Sequence, residues 1–323
     1  MALTLAEADK YSTNQVAIGV AEITMDQNPL LGLMPFTPVR GNAYQYQREL
    51  AAGLPTFIAP GGTVVEATPT TTLVTTALKI LIGDADIDKF LQITRSKDQD
   101  LQAELIGLKA RNFADTWGDK TIYGSIDAAP DEFDGLHEIL SDDLAAAQTI
   151  NTSADATADP GTFTNLDTLL DVVRPRADVL LMSRRSRRGI QKLARSQGWD
   201  LALSTVGGIS KPVQFYNDTP ILICDFITDT ELLTAGGLFS AKTGGLSSSI
   251  FACRLGDDAF YGISADDPSA QDDLERIIML EEIGTLETKD ANRIRLKHYG
   301  ALVVKAGQAI GQLTGISSAD WTN

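Results

Sequence analysis

Residues 96–124, SKDQDLQAELIGLKARNFADTWGDKTIYG, form the longest uninterrupted helical pattern in the chain, and a helix of that length constrains how everything else is arranged. Ser96 with Gln99 three residues on has the spacing of a capping box, and Asp98 and Asp100 sit against the positive end of the helix dipole. Leu101, Leu105 and Leu108 make one apolar stripe, while Ile106, Ala110, Phe113 and Trp117 make a second. Two stripes predict a spine helix lying between layers. Gly124, just after Tyr123, reads as a left-handed stop, giving a helix about 40 Å long at about 1.5 Å per residue. That is long for a compact enzyme core, and Gly107 and Gly118 are weak points inside it.

A chain of 323 residues is enough for about two domains with a sizeable core. The first residues, MALTLAEADKYSTNQVAIGVAEITMDQNPLL, have neither the basic start nor the apolar core of a signal peptide, and no apolar run reaches membrane-spanning length. The expectation is a protein neither exported nor inserted in a bilayer. Lys and Arg number 27 against 43 Asp and Glu, a formal charge of −16, which disfavours direct binding of nucleic acid. Cys224 and Cys253 lie in apolar strand-like segments with no metal-ligand spacing and read as buried, reduced thiols.

Ahead of the spine, residues 3–25 carry Leu5, Ala8, Val16, Val20 and Ile23 at amphipathic spacing, broken by Asn28-Pro29, and form an arm. In GNAYQYQREL, residues 41–50, Tyr44, Tyr46 and Arg48 share one face of a strand, and LVTTALKILIGDADI, residues 73–87, reads as its returning partner. The intervening AAGLPTFIAPGGTVVEATPTTT is too long for a hairpin turn and too poor in apolar periodicity to bury itself. It needs support from outside its own domain. Beyond the spine come a short apolar segment at 133–140 and an exposed polar excursion at 142–165. A helix follows at 166–173, then a buried strand at 178–183, a helix at 184–196 closing at Gly198, and two strands around Asn217-Asp218. Strand patterns at 247–255 and 293–316 finish the chain.

Few residues suggest chemistry. GGLFSAKT, residues 236–243, nearly fits a phosphate loop, but Ala241 stands where the second glycine is required and Gly244-Gly245 where a helix should begin, so a turn between strands is the better reading. Asp84, Asp86 and Asp88 alternate as in a calcium loop, yet that motif's glycine is missing and Arg95 stands where its bidentate Glu belongs. An acidic strand face is expected instead. His137 and His298 are far apart with no nucleophile signature nearby, and no carboxylate pair stands out among 43 acids. No catalytic, cofactor-binding or metal residue is assigned. Arg184, Arg185, Arg187, Arg188, Lys192 and Arg195 form the one basic cluster, spread around much of a helix, and solvated or intersubunit ion pairing is favoured over a polyanion contact.

The order of these parts, with the residues that carry it, resembles the major capsid protein of tailed double-stranded DNA bacteriophages, whose Hong Kong-type fold is shared with encapsulins. DQNPLLGLMPFTPVRGNAYQYQREL is similar to that family's arm leading into its extended loop, and LKILIGDADIDKFL to the strand returning from it. FDGLHEIL resembles the segment after the spine, DVLLMSRRSRRGIQKLAR the central unit, PILICDF and SSSIFACRLGDDAFYGI later strands, and RLKHYGALVVKAGQAIGQLTGI the closing strand. The match is discontinuous but touches most of the chain from Leu5 to Ile316.

The resemblance implies an α+β subunit with an N-terminal arm (1–40), an extended two-stranded loop (41–80), a peripheral domain (81–135 and 251–323) holding the spine helix, and an inserted axial domain (136–250). It implies a structural role without catalysis or cofactor. Pentamers and hexamers would tile an icosahedral shell around double-stranded DNA, in a virion assembled in the host cytoplasm, with portal and decoration proteins as partners. The short arm implies a separate scaffolding protein. Tyr44, Tyr46, Arg48 and Lys79 are the expected intersubunit contacts, with internal support of the loop as the alternative. Lys79 and several Asn residues are present, but no reacting pair stands out, so no crosslink between subunits is expected. An encapsulin-type compartment around a cargo protein is the competing reading, and a soluble α+β enzyme the competitor from another class.

Overall fold

The computed structural model describes residues 28–51, 56–64, 66, 70–95, 101–144, 146–153, 155–198, 201–205, 212–266 and 277–322. The predicted arm helix at 3–25 and the capping residues Ser96, Asp98, Gln99 and Asp100 lie outside them. At Asn28-Pro29, where the arm is expected to break, a short helix starts, Pro29–Leu33. The Asn28 side chain accepts from the Leu30 amide, and Leu30, Leu31 and Met34 enter the core.

The spine helix runs over Leu101–Tyr123, about 35 Å. Its two stripes fare differently. Ile106, Ala110, Phe113 and Trp117 are buried, whereas Leu105 is half-buried and Leu108 is 49% exposed, so one face carries the core and the other lies near solvent. Gly124 does not end the helix by a left-handed turn. Its amide still bonds Lys120 O at 2.8 Å, and a Cβ there would stand 2.3 Å from Phe133 O, so glycine is needed to let the 133–135 backbone touch the helix end.

The smaller of two sheets packs along the buried face of this helix, and the larger meets its C-terminal end. In the smaller, Phe36–Val39 pairs in parallel with Phe260–Ala265, which pairs antiparallel with the long strand Ala291–Val304. That strand also takes Met279–Thr285 and Lys79–Asp88. The larger sheet runs in the order Thr149–Asn151, Ile310–Trp321, Ser248–Cys253, Val179–Met182, Thr219–Ile223, Val213–Tyr216 and Ala202–Ser204. Asp159–Gly161 also joins Ile310–Trp321, so the excursion predicted at 142–165 contributes two edge strands to this sheet. The strands at 213–216 and 219–223 turn on Asn217 (φ 46°) and Asp218 (φ 62°), both left-handed as a two-residue hairpin requires.

Period-2 alternation assigns the larger sheet's faces. Val179, Leu181, Phe251 and Cys253 join the core that holds Trp117, while Leu180, Met182, Ile250 and Ala252 pack on the other side with Leu166, Leu169 and Ile190. Cys224 and Cys253 are free and buried, and burial pushes the Cys224 thiol up to about 11. Strand pairing divides the expected 251–323 segment. Ile310–Trp321 pairs with Ser248–Cys253 in the larger sheet, while 260–265 and 291–304 stay in the smaller.

Helices Phe163–Val172 and Arg184–Ser196 cover the outer face of the larger sheet. Thr162 and Ser183 cap them by accepting from the Asn165 and Ser186 amides. The second helix buries Ser186, Gly189, Ile190, Leu193 and Ala194. Gly189 has to be glycine, because a Cβ would stand 2.0 Å from Cδ1 of Trp321, whose ring also lies against Gly161. The cations predicted to scatter around this helix lie on its outer side: Arg185, Arg188, Lys192 and Arg195 are exposed at spacings of three and four residues and form a single stripe.

Candidate assembly surfaces

The extended loop is a hairpin of Ala43–Ala51 and Thr70–Ala77, which among the described residues pair with each other and with no other strand. The single returning strand predicted at 73–87 is two strands. At Leu78 the chain leaves the hairpin, and Lys79–Asp88 joins the smaller sheet. Among the described tip residues, Phe57 (109%), Ile58 (50%) and Val64 (76%) are exposed around a turn closed by the Gly62 amide on Ala59 O at 2.8 Å.

The four residues expected to meet neighbours all make contacts within the subunit. Arg48 Nε donates to Val304 O at 3.1 Å and its Nη2 to Tyr46 Oη at 2.9 Å, and both residues are buried. Tyr44 stacks on Tyr46 and accepts a 3.3 Å bond from the Tyr261 hydroxyl. Lys79 Nζ donates to Pro130 O. Together they fasten the base of the hairpin to the body.

Asp84 and Asp86, the first two members of the alternating acidic run, sit opposite arginines on the neighbouring strand. Arg295 forks onto Asp84 at 2.6 and 2.9 Å, and Arg293 onto Asp86 at 2.6 and 2.8 Å. These hydrogen bonds from guanidinium hold both carboxyls below the usual carboxylate range. A ladder of forked pairs leaves no ligand set for calcium. Elsewhere, Asp127, Glu138 and Asp142 bring carboxylate oxygens within 4.8 Å of one another, the one such trio among the described residues.

The near-phosphate loop is a strand turn. Phe239–Ala241 pairs with Leu232–Leu233, no helix follows, and Lys242 forms an ion pair with Asp119. Phe239 instead covers a buried polar cluster that sequence spacing did not reveal. Glu231 accepts from Tyr123 Oη at 2.6 Å on one oxygen and from Ser249 Oγ at 2.6 Å on the other. Gln312 Nε2 donates to His137 Nδ1 at 2.7 Å, which puts the ring proton on Nε2, 3.4 Å from Glu231 Oε1 but off hydrogen-bond geometry. The His137 ring is stacked on Phe239 at 3.7 Å and on Tyr123 at 5.2 Å. Burial, then the Glu231 charge, raises the Tyr123 hydroxyl pKa well above its ordinary value. Such a Glu, His, Tyr and Ser set has the components of a catalytic array. With the His137 and Glu231 side chains 3% and 0% exposed and rings on both sides, it ties the spine helix to the larger sheet and offers a substrate no approach.

His298 is likewise structural. Nδ1 donates to Ile277 O at 2.6 Å, and Nε2 accepts from Trp117 Nε1 at 3.3 Å, so both nitrogens are satisfied when the ring is neutral. Protonation would set two N–H groups against each other, and burial lowers the pKa below the ordinary 6.5. Below about pH 6.5 the unfolded chain therefore binds a proton that the folded one excludes, and stability should fall as pH drops. Urea unfolding from about pH 7.5 to about pH 5 should show this decline, with a shallower slope in His298→Gln. Equal slopes would mean that His298 accepts its proton in the folded state.

A spine helix laid on the smaller sheet, a larger sheet at the helix's C-terminal end with two helices on its outer face, and a hairpin standing off both define the capsid fold of tailed bacteriophages, shared with encapsulins. No protein-family model matches the sequence, and no curated protein matches it significantly. Solved structures do. The SrpI encapsulin of Synechococcus elongatus aligns over 91% of this chain and 89% of its own, with TM-score 0.65 and 16% identity. The capsid of a native GTA particle aligns over 89% of each chain, with TM-score 0.61 and 15% identity. A chain of Microbacterium phage Oxtober96 aligns over 88% of this chain and 90% of its own, with TM-score 0.58 and 13% identity. At such identities the fold is what is shared.

Proposed function

We propose that this chain is the structural subunit of a closed protein shell, a major capsid protein of a tailed bacteriophage. The observation that carries the reading is the stand-off hairpin. A ribbon pinned by Arg48 at its base, with Phe57 and Val64 exposed at its tip, gains burial only against another molecule. A neighbouring copy supplies it, and modest interfaces add up over a shell. On this reading residues 1–40 are an arm and 41–80 the extended loop. Residues 81–135 with 254–309 make the peripheral domain, and 136–253 with the strand at 310–321 the axial domain. Tyr44, Tyr46, Arg48 and Lys79 serve assembly indirectly, by holding the loop's direction. Pentamers and hexamers would enclose double-stranded DNA in a virion assembled in the host cytoplasm, with separate scaffolding, portal and decoration proteins. No catalytic step or cofactor is required.

Electron microscopy and sedimentation of the expressed protein test this. Closed particles are expected from the wild type, and Phe57→Asp should leave a folded subunit with particle yield reduced by about tenfold or more. Wild-type protein that stays monomeric or dimeric at every concentration would remove the proposal. The encapsulin reading is favoured by one observation, the SrpI match having the highest TM-score of the three compared. A small shell filled with a cargo enzyme, in place of DNA and a portal, would decide for it.

A further inference from the structure

Helix Arg184–Ser196 carries an exposed basic stripe. Arg184 is held by Asp225, but among the described residues the side chains of Arg185, Arg188, Lys192 and Arg195 form no ion pair or hydrogen bond. They span about 15 Å of exposed helix surface. On a chain of formal charge −16, four adjacent uncompensated cations are a local reversal of sign.

The counter-surface lies on the same sheet face. Helix Phe163–Val172, across Trp321 from the basic helix, exposes Asp167 and Asp171. With Asp218 of the adjoining turn they line an open cleft of about 430 Å³, in which Arg176 is the one basic residue. Arg176 donates to the Asp218 carbonyl at 2.8 Å, and Asp167 already accepts from Tyr216 and Asn217. Asp171 and the Asp218 carboxylate have no partner among the described residues.

We infer that the stripe is a docking surface for a second copy of this chain, Arg185, Arg188, Lys192 and Arg195 of one subunit meeting the Asp171 and Asp218 cleft of the next. The inference rests on the shell reading and specifies the contact that sets one subunit beside another. Two complementary patches on one chain pair copies of it either head to tail or reciprocally about a two-fold axis, and a head-to-tail contact closes into a ring when the rotation permits. Charge complementarity selects this occupant. The same sheet face exposes Asp167 and Asp171, whose charge disfavours a nucleic acid there, whereas another copy presents acidic groups to the cations. The exposed pairs set register and encounter rate more than affinity, so assembly should slow as salt rises.

The test is a charge swap in the full chain, followed by light scattering and sedimentation at low and high salt. Arg188→Glu with Lys192→Glu should lower the assembly rate at low salt by about tenfold, with an unchanged melting temperature because both positions are exposed. Asp171→Lys with Asp218→Lys should do the same, and the four changes combined should restore the rate to within about threefold of wild type. Particles forming at the wild-type rate in the stripe variant would overturn the inference and leave the shell reading standing. So would a loss that the reciprocal changes fail to rescue. Normal assembly with reduced retention of DNA would give the stripe to nucleic acid instead. A wild type that never assembles would overturn both readings together.

Discussion

Replacing Trp117 by alanine is expected to lower the stability of the disassembled subunit by about 3–5 kcal/mol, a large part of the roughly 5–15 kcal/mol that holds a folded domain together. The indole is 2% exposed, lies 6.4 Å from the Phe133 ring and 6.3 Å from His298, and donates its N–H to that histidine. Alanine would open a cavity where the spine helix meets the smaller sheet and leave His298 Nε2 without its donor. Leu108→Ala on the opposite stripe should change stability by no more than about 0.5 kcal/mol, since Leu108 is already 49% exposed. Urea unfolding of the two variants separates the faces. Similar losses from both would mean that the helix is buried on two sides, as its periodicity alone suggested.

The second large effect is expected at Glu231. Its carboxylate accepts hydrogen bonds from Tyr123 and Ser249, while the Ser247 hydroxyl donates to its backbone oxygen at 2.7 Å. Glu231→Ala would strand a tyrosine and a serine hydroxyl in a buried site and should cost about 3–4 kcal/mol. Glu231→Gln keeps the shape and one acceptor oxygen and should cost about 1–2 kcal/mol. The spine helix and the larger sheet would then be less firmly joined, so the alanine variant should also broaden the unfolding transition. A cost below about 1 kcal/mol for Glu231→Ala would show that water replaces the carboxylate there, and that the cluster is not the tie between layers.

Local patterns were legible in the sequence wherever the chain interacts with itself at short range. The helix at 184–196 with its Gly198 stop and the Asn217-Asp218 hairpin follow from spacing and turn chemistry. The Arg293–Asp86 and Arg295–Asp84 forks were not legible, because their partners are 207 and 211 residues apart. Nor was the change of partner at Leu78, where strand propensity continues unbroken while the hydrogen bonds pass from one sheet to another. Tyr46 and Arg48 carried the composition of an interface core, and burial within the subunit uses the same residue types.

The sequence by itself determined the elements, the excess of acid and the presence of a loop too long and too polar to bury itself. These depend on periodicity, composition and turn residues, which act over a few positions. Only the tertiary structure decided which stripe of the spine helix is core, that Glu231 and His137 meet between rings, and that four cations form one row facing outward on the sheet face that also bears Asp171. Those outcomes depend on which strand lies beside which. Strand order is fixed by the summed burial of two sheets packed against one helix, a quantity that no single segment carries.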